Sequence, residues 1–130
     1  MKSLIVEDEF TSRMQIKYFL EDYGNCDIAV NGTEAIKAYK MAIVNNKPYD
    51  LVCLDINLPE KSGHQVLKEI RTLDTEMGNP LKHATIVFMT TALANEKSVN
   101  DTQGLCDEYL LKPIEKTMLD ERLRKHKLLK

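Results

Sequence analysis

Leu51-Val-Cys-Leu-Asp55-Ile-Asn-Leu-Pro59 is the stretch that decides the fold, because four apolar residues run directly into an aspartate and a proline follows four residues later. A short apolar run bounded by a turn residue is typical of a strand that is buried on both faces. The aspartate therefore comes at the carboxyl end of the strand, the edge of a parallel sheet where ligand sites collect. From this stretch alone, Asp55 is a nucleophile, a metal ligand or the cap of the next helix.

The composition is that of an ordinary globular domain. The 130 residues are 43% hydrophobic and 29% charged, with a formal net charge of −2, which is normal for one folded domain. A binder of nucleic acid or of a membrane surface would show a basic excess, and no apolar run reaches the roughly 18 residues of a membrane span. The N-terminus lacks the apolar segment of a signal peptide. We therefore predict a cytoplasmic protein with a single domain over residues 1–130 and no output domain.

The cysteines and histidines show no metal-binding pattern. Cys26, Cys53 and Cys106 lie far apart and form no C-x-x-C or Cys–His cluster, so a structural zinc site is not predicted. Cys53 falls within the apolar run and is predicted to pack in the core. The histidines, which are predicted to lie at the surface or in loops, are His64, His83 and His126.

Apolar runs and turn residues predict strands and helices that alternate along the chain. The predicted strands are 3–6, 26–30, 51–54, 84–89 and 108–111, and the predicted helices are 11–23, 33–46, 63–71 or beyond, 95–103 and a last one from about 114. Residues 72–83 are predicted to form a loop. Thr11 or Ser12 is the predicted cap of the first helix and Thr33 that of the second. Methionine and aromatic side chains on the helices are predicted to lie in the core.

The order βαβαβαβαβα predicts an α/β fold with a parallel sheet and helices on both faces. The best match is the flavodoxin-like, doubly wound (βα)5 fold, whose five strands are ordered 2-1-3-4-5. This order places the first and third strands side by side at the centre of the sheet.

Polar residues follow four of the predicted strands at one edge of the sheet. Glu7 and Asp8 follow the first strand, Asp55 the third, Thr91 the fourth and Lys112 the fifth. Three neighbouring carboxylates repel one another, and a hard divalent cation with oxygen ligands relieves that repulsion. The sequence therefore predicts a site for Mg²⁺ or Mn²⁺ at this edge.

The predicted direct ligands of this metal are the carboxylates of Asp8 and Asp55. The backbone carbonyl of Asn57 would supply another oxygen, and Glu7 would act through water. Other metal sites are not predicted.

The same edge suits the transfer of a phosphoryl group. Asp55 can attack phosphorus and form an aspartyl phosphate, whose oxygens would be held by the metal, the Lys112 ammonium and the Thr91 hydroxyl. No Walker A loop is present, so the donor must carry an activated phosphoryl group.

These motifs resemble the receiver domain of two-component response regulators, and by length a stand-alone, CheY-like one. The matching stretches are Ile5-Val-Glu-Asp8, Leu54-Asp-Ile-Asn-Leu-Pro59 with Gly63 after it, Met89-Thr-Thr-Ala92 and Tyr109-Leu-Leu-Lys-Pro113. The resemblance covers residues 2–125 and implies that Asp55 is the phosphoacceptor. The donor would be a phosphohistidine on a histidine kinase or a histidine phosphotransfer protein.

The resemblance also implies a switch. Thr91 would move toward the phosphoryl group, Tyr109 would turn inward, and a cis bond would precede Pro113. The surface formed by the fourth helix, fifth strand and fifth helix would then bind a downstream protein, or a second copy in a dimer if the chain is not a monomer. Leu93 is not a residue that positions a hydrolytic water, so we expect a long-lived phosphoryl group.

Two other function classes fit parts of the pattern. A metal-dependent phosphohydrolase of the haloacid-dehalogenase type would use a similar aspartyl phosphate, but such enzymes have a second Asp where this chain has Asn57. A receiver-like scaffold that is never phosphorylated would not need the full set of acidic, Thr and Lys residues.

Overall fold

The computed structural model describes residues 1–80, 84–92 and 105–129. The strands are β1 (Ser3–Val6), β2 (Cys26–Ala29), β3 (Leu51–Asp55), β4 (Ile86–Thr91) and β5 (Glu108–Leu111). The helices are α1 (Phe10–Leu20), α2 (Gly32–Val44), α3 (Gly63–Met77) and the C-terminal helix (Lys116–Lys125), with a 3₁₀ turn (Glu21–Tyr23) after α1. The predicted helix 95–103, Leu93 and His83 lie outside the described residues.

The five strands form one parallel sheet in the order β2-β1-β3-β4-β5. The predicted topology is therefore confirmed. Its register places Asp55 beside Thr90 and Thr91 beside Leu111, so the carboxyl ends of β3, β4 and β5 are level with one another.

The sheet is covered by helices on both faces, and β3 is buried along its whole length. Alternate residues along a strand point to opposite faces. One face packs against α2 and α3, with Leu4, Val6, Val52, Leu54, Val87 and Met89 from the strands. The other packs against α1 and the C-terminal helix, with Ile5, Leu51, Cys53, Phe88 and Leu110. Burying each such side chain contributes about 1.5–3 kcal/mol, and the predicted core position of Cys53 is confirmed.

The predicted helix caps are wrong. Glu9 is the residue before α1 and makes no side-chain cap, so neither Thr11 nor Ser12 caps this helix. Asn31 rather than Thr33 caps α2, because its side chain accepts a hydrogen bond from the Glu34 N–H at 2.8 Å. Asn is among the strongest N-cap residues, and here it precedes the glycine that begins the helix.

The third helix is longer than predicted. It begins with a capping box, in which Ser62 and Gln65 each accept from the other's backbone N–H, and it continues to Met77. Gly78 ends it with a φ of 69°, a backbone conformation that glycine adopts without steric cost. Residues 72–77, which were predicted to lie in a loop, are therefore helical.

The exposed methionine and aromatic side chains also differ from the prediction. Tyr39 is fully buried, as predicted, but Met14, Tyr18 and Met41 are 39%, 69% and 54% exposed. On α1 the buried positions are Ile16 and Leu20. Phe19 is half-buried and packs against the core, so the core position predicted from helical spacing on α1 is right for Phe19 and wrong for Met14 and Tyr18.

Arg71 joins α3 to the amino ends of β4 and β5. Its Nε donates to the Leu105 carbonyl at 2.8 Å, and an Nη atom donates to the Thr85 carbonyl at 2.8 Å. The other Nη atom lies 3.3 Å from the carboxylate of Asp107, which also accepts from the Val87 N–H at 2.8 Å. These bonds hold the second half of α3 in place at the edge opposite the predicted site.

Three basic side chains at the end of the C-terminal helix converge on Glu108. Arg122, Lys125 and His126 lie 3.5, 3.0 and 2.8 Å from its carboxylate. Burial acts to raise the pKa of Glu108, but the hydrogen bonds from His126 and Lys125 outweigh it, and the pKa lies below its ordinary value. His126 directly follows the C-terminal helix and lies in a turn, as the predicted surface or loop position requires. Its half-buried ring also packs against Phe88, with the ring centroids 5.6 Å apart.

All three cysteines are free thiols. Among the helices of the described ranges, none combines the length and apolar character needed to cross a bilayer.

Candidate functional site

The carboxyl ends of four strands bring the predicted site residues to one edge of the sheet. Glu7 and Asp8 directly follow β1, Asp55 ends β3, Thr91 ends β4 and Lys112 directly follows β5. The strands β1, β3, β4 and β5 are consecutive neighbours. These five residues therefore lie at the carboxyl edge of the sheet, where the sequence predicted them.

The three carboxylates form a compact acidic cluster. Each of Glu7, Asp8 and Asp55 offers a carboxylate oxygen, and these oxygens all lie within 4.8 Å of one another. Glu7 and Asp55 are 1% and 3% exposed, whereas Asp8 is exposed. Oxygen ligands at this spacing, with one of them open to solvent, fit a hard divalent cation that keeps part of its water shell.

Lys112 lies against two of these carboxylates but not at equal distance. Its Nζ is 2.8 Å from Oε2 of Glu7 and 3.4 Å from Oδ2 of Asp55. The first distance is that of a charge-assisted hydrogen bond and the second is longer. The ammonium is therefore bound principally to Glu7.

The remaining carboxylate oxygens accept bonds from nearby backbone. Oε1 of Glu7 accepts from the Glu9 N–H at 3.2 Å, and Oδ1 of Asp55 accepts from the Asn57 N–H at 3.1 Å. The second bond turns the chain after β3 and orients the Asp55 carboxylate. Because Ser62 caps α3, Asp55 is not the cap of that helix, and this reading of the sequence is wrong.

Burial and charge act against each other on the ionisation of Glu7 and Lys112. Burial, together with the charge of Asp55, raises the pKa of Glu7 above its ordinary value in spite of the Lys112 hydrogen bond. Burial acts to lower the pKa of Lys112, but the Glu7 hydrogen bond and the Asp55 charge outweigh it and raise the pKa. Lys112 therefore remains a cation at neutral pH.

Two buried threonines end β4, and the first of them lies beside Asp55 in the sheet. Thr90 and Thr91 are 2% and 7% exposed. The Ile56 N–H donates to the Thr90 carbonyl at 3.0 Å, and the Lys112 N–H donates to the Thr91 carbonyl at 2.8 Å. Backbone bonds therefore fix the position of β4 relative to both the aspartate and the lysine.

Tyr109 lies on the opposite side of β5 from Glu108, which faces the C-terminal helix. It is half-buried and packs against the part of the core that α2 and α3 cover. In register it lies beside Met89, two residues before Thr91, and Thr91 points to the same face because side chains alternate along a strand. The structure thus places both residues of the predicted switch on one face of the sheet.

Gly63 packs closely against the backbone of Asp55 and Ile56. Its N–H donates to the Ile56 carbonyl at 2.8 Å, and a Cβ at this position would lie 2.3 Å from the backbone oxygen of Asp55. The first turn of α3 is thus in contact with the backbone of the aspartate. The bond between Lys112 and Pro113 is cis, as the resemblance implied.

Sequence reasoning missed two contacts at this site. The Arg13 guanidinium donates to the Asp8 carbonyl at 3.0 Å and lies 5.1 Å from the Phe10 ring centroid. The preference of Lys112 for Glu7 was also missed. The sequence feature that could have indicated the contact between Lys112 and Glu7 is the glutamate itself, whose side chain reaches further than that of an aspartate.

A family model described as "Response regulator receiver domain" matches residues 3–124. Two curated proteins are similar over nearly all of this chain. The transcriptional regulatory protein DltR of Streptococcus agalactiae is 34% identical over 125 residues, which are 95% of this chain and 50% of DltR. The chemotaxis protein CheY-3 of Vibrio cholerae is 33% identical over 127 residues, 96% of this chain and 90% of CheY-3. The chain thus spans half the length of the first relative and nearly all of the second.

A solved structure of similar fold comes from Borrelia burgdorferi and is described as a CheX–CheY–BeF3–Mg²⁺ complex. It matches with a TM-score of 0.81 and 26% identity, covering 100% of this chain and 90% of the other.

Proposed function

Because the chain belongs to the response regulator receiver family, we propose that Asp55 accepts a phosphoryl group from a phosphohistidine and that this changes what the domain binds. One observation carries the proposal. Asp55 is buried at a sheet edge with two further carboxylates within 4.8 Å and a lysine ammonium 3.4 Å away, an arrangement that supplies a nucleophile, a metal site and a cation together.

The reaction is an in-line displacement at phosphorus. A carboxylate oxygen of Asp55 forms the new P–O bond as the P–N bond to the donor imidazole breaks, and the electron pair of that bond returns to the imidazole. Lys112 binds one of the equatorial phosphoryl oxygens, and the Thr91 hydroxyl donates to another. Both groups stabilise charge that develops outside the carboxylate itself.

The acidic cluster fits Mg²⁺ or Mn²⁺. Asp8 and Asp55 would be direct ligands with the backbone carbonyl of Asn57, and Glu7 would act through a water molecule. When bound, the ion supplies a Lewis acid that neutralises charge on the phosphoryl oxygens. Asp8 is the exposed member of the cluster and gives the ion its route from solvent.

The switch follows from the added charge. Phosphorylation replaces the single negative charge of the Asp55 carboxylate by about two, carried on three acceptor oxygens. Thr91 moves toward these oxygens, and Tyr109 turns into the space that Thr91 leaves. The face formed by the predicted fourth helix, β5 and the C-terminal helix then binds a downstream protein, or a second copy of the chain. The Borrelia structure, in which a CheY is in complex with CheX, supports partner binding through a protein surface.

The family match favours this function over the phosphohydrolase considered from the sequence. A histidine kinase or histidine phosphotransfer protein is the proposed donor, and nucleic acid and membranes are not proposed as partners. The stand-alone arrangement stays a prediction, since the chain matches half of one relative and nearly all of another. The cytoplasmic location and the long phosphoryl lifetime inferred from Leu93 also stay predictions.

The test is intact mass after incubation with acetyl phosphate and Mg²⁺. We expect one phosphoryl adduct on the wild type, none on Asp55→Asn and none when EDTA is added first. An adduct on Asp55→Asn would refute the assignment of the nucleophile. Beryllofluoride with Mg²⁺, titrated into the wild type and followed by NMR, should give saturable shifts even if the phosphoryl group is short-lived. If neither a phosphoryl adduct nor such NMR shifts appear, the proposed function is refuted.

A further inference from the structure

Glu7 holds Lys112 more closely than the aspartate does. The Nζ of Lys112 is 2.8 Å from Glu7 and 3.4 Å from Asp55. Both oxygens of Glu7 are engaged, one by this ammonium and one by the Glu9 N–H. The 1% exposure of Glu7 makes these two bonds the means by which its charge is compensated.

The length of the glutamate is what permits this contact. An aspartate at the same backbone position would place its carboxylate one C–C bond, about 1.5 Å, further back. A 2.8 Å bond lengthened by even half of that would no longer be a hydrogen bond. The ammonium would then lose its short bond and keep only the longer contact with Oδ2 of Asp55, 3.4 Å away, toward which it would be drawn.

We propose that Glu7 is a positioning residue, which holds the Lys112 ammonium off Asp55 in the unphosphorylated chain and releases it when the phosphoryl group arrives. The inference rests on the proposed function, since the release is meaningful only if Asp55 is phosphorylated. Its first half concerns the unphosphorylated chain and can be tested without that reaction.

The consequence for Asp55 is that one of its carboxylate oxygens is only loosely paired with the ammonium. Oδ1 of Asp55 accepts from the Asn57 N–H, and Oδ2 lies at 3.4 Å from the ammonium, outside a short charge-assisted bond. An oxygen tied tightly to an ammonium is a poorer nucleophile and a poorer metal ligand. Glu7 therefore keeps Oδ2 available for both roles.

The consequence for Glu7 is a cost in the phosphorylated state. When Lys112 crosses to a phosphoryl oxygen, the buried Glu7 carboxylate keeps only its backbone bond. An unpaired buried carboxylate is unfavourable. This cost favours the return of Lys112 once the phosphoryl group is lost, so that the unphosphorylated arrangement is restored.

The first experiment measures the exchange of the Lys112 ammonium hydrogens with water in the metal-free protein. Lysine labelled with ¹⁵N gives the signal, Lys112→Arg assigns it, and Lys61, which pairs with Glu69 at 3.0 Å, is the internal reference. The variants are Glu7→Asp and Asp55→Asn. Glu9→Asp makes the same shortening at an exposed position and is the matched control.

We expect Glu7→Asp to speed this exchange roughly tenfold, because it removes a hydrogen bond between charged groups. Asp55→Asn should change it less than about twofold, and Glu9→Asp should leave it as in the wild type. A larger effect of Asp55→Asn than of Glu7→Asp, or equal effects of the two, would overturn the proposal. Backbone amide spectra of each variant check that the fold is retained.

The second experiment adds beryllofluoride and Mg²⁺ to the wild type and to Glu7→Asp. The Lys112 signals of the two proteins differ before the addition and should coincide after it, since the ammonium has then left Glu7. Signals that still differ in the saturated complexes would overturn the release step. If beryllofluoride does not bind either protein, the proposed function fails, while the exchange measurement on the free proteins still decides the role of Glu7.

Discussion

Replacing Lys112 by methionine should destabilise the protein in a way that depends on pH. The methionine keeps the apolar stem but removes the ammonium from between Glu7 and Asp55. At the observed separations of 2.8 and 3.4 Å, the gross attractions are about 6 and about 5 kcal/mol at an effective dielectric constant of about 20. Desolvation of the three groups offsets most of this, and breaking a buried pair typically costs about 3–5 kcal/mol. We expect a loss of about 3 kcal/mol at pH 7, at the lower end of that range.

The loss should shrink as the pH falls. The pKa of Glu7 is already raised above its ordinary value of 4.5 by burial, and without the ammonium it rises further. A group whose pKa is raised on folding binds its proton more tightly in the native state, so folding becomes more favourable as the pH falls through the folded pKa. The unpaired Glu7 carboxylate of the variant is then neutralised, and we expect the difference from the wild type to be at most half as large at pH 5 as at pH 7.

The assay is urea denaturation of both proteins at pH 5 and pH 7, followed by circular dichroism. Lys61→Met is the matched control, because Lys61 pairs with Glu69 at 3.0 Å while the two side chains are 38% and 44% exposed. An exposed pair contributes about 0–1 kcal/mol, and its removal should show little dependence on pH. Equal losses for the two variants, or a loss at Lys112 that is as large at pH 5 as at pH 7, would refute the reasoning.

Three other substitutions test separate parts of the structure. Thr91→Ala should bind beryllofluoride with Mg²⁺, but the Tyr109 ring signals should then not shift as they do in the wild type; an unchanged shift would contradict the switch. Arg71→Met should lower the free energy of unfolding by about 2–3 kcal/mol, because it removes the donor of the Thr85 and Leu105 carbonyls and the cation beside Asp107; urea denaturation measures this. Glu108→Gln should lower the free energy of unfolding by about 1 kcal/mol at pH 7. Because the pKa of Glu108 is lowered on folding, its charge stabilises the wild type only until it is protonated, so the difference between the two proteins should shrink as the pH falls below 4.5. A difference that does not shrink on acidification would contradict this.

The alternation of apolar runs with polar strand ends was sufficient to predict the sheet order and the edge at which the site lies. Leu51 to Asp55 forms a strand that is buried at every position. In a domain of this size, such an apolar run fits only a central strand of the sheet. Helix boundaries were harder, because they depend on local bonds. The continuation of α3 to Met77 is supported by the contacts of Arg71 with Leu105 and Asp107, which are more than 30 residues away and have no local sequence signal.

The same limit applies within the site. The sequence brings Glu7, Asp55 and Lys112 to one edge, but it does not say which carboxylate the lysine contacts. That depends on distances of a few tenths of an ångström, set by the side-chain length at position 7 and by the backbone bond from Lys112 to the Thr91 carbonyl. On α1, helical spacing alone did not separate the exposed Met14 from the buried Ile16, because both faces of this helix carry apolar residues.

The charge of the site explains why one lysine can act as part of a switch. Three carboxylates and one ammonium leave two net negative charges at this edge, which a divalent cation would balance. A phosphoryl group on Asp55 replaces one negative charge by about two at neutral pH, so the site then has more negative charge than a divalent cation and Lys112 together can neutralise. Under the proposed transfer, Lys112 gives up its 2.8 Å bond to Glu7 for a phosphoryl oxygen, so the buried Glu7 carboxylate then lacks the ammonium. In the unphosphorylated structure Glu7 holds the ammonium at 2.8 Å, and under the proposed transfer Lys112 returns to Glu7 once the phosphoryl group has been hydrolysed.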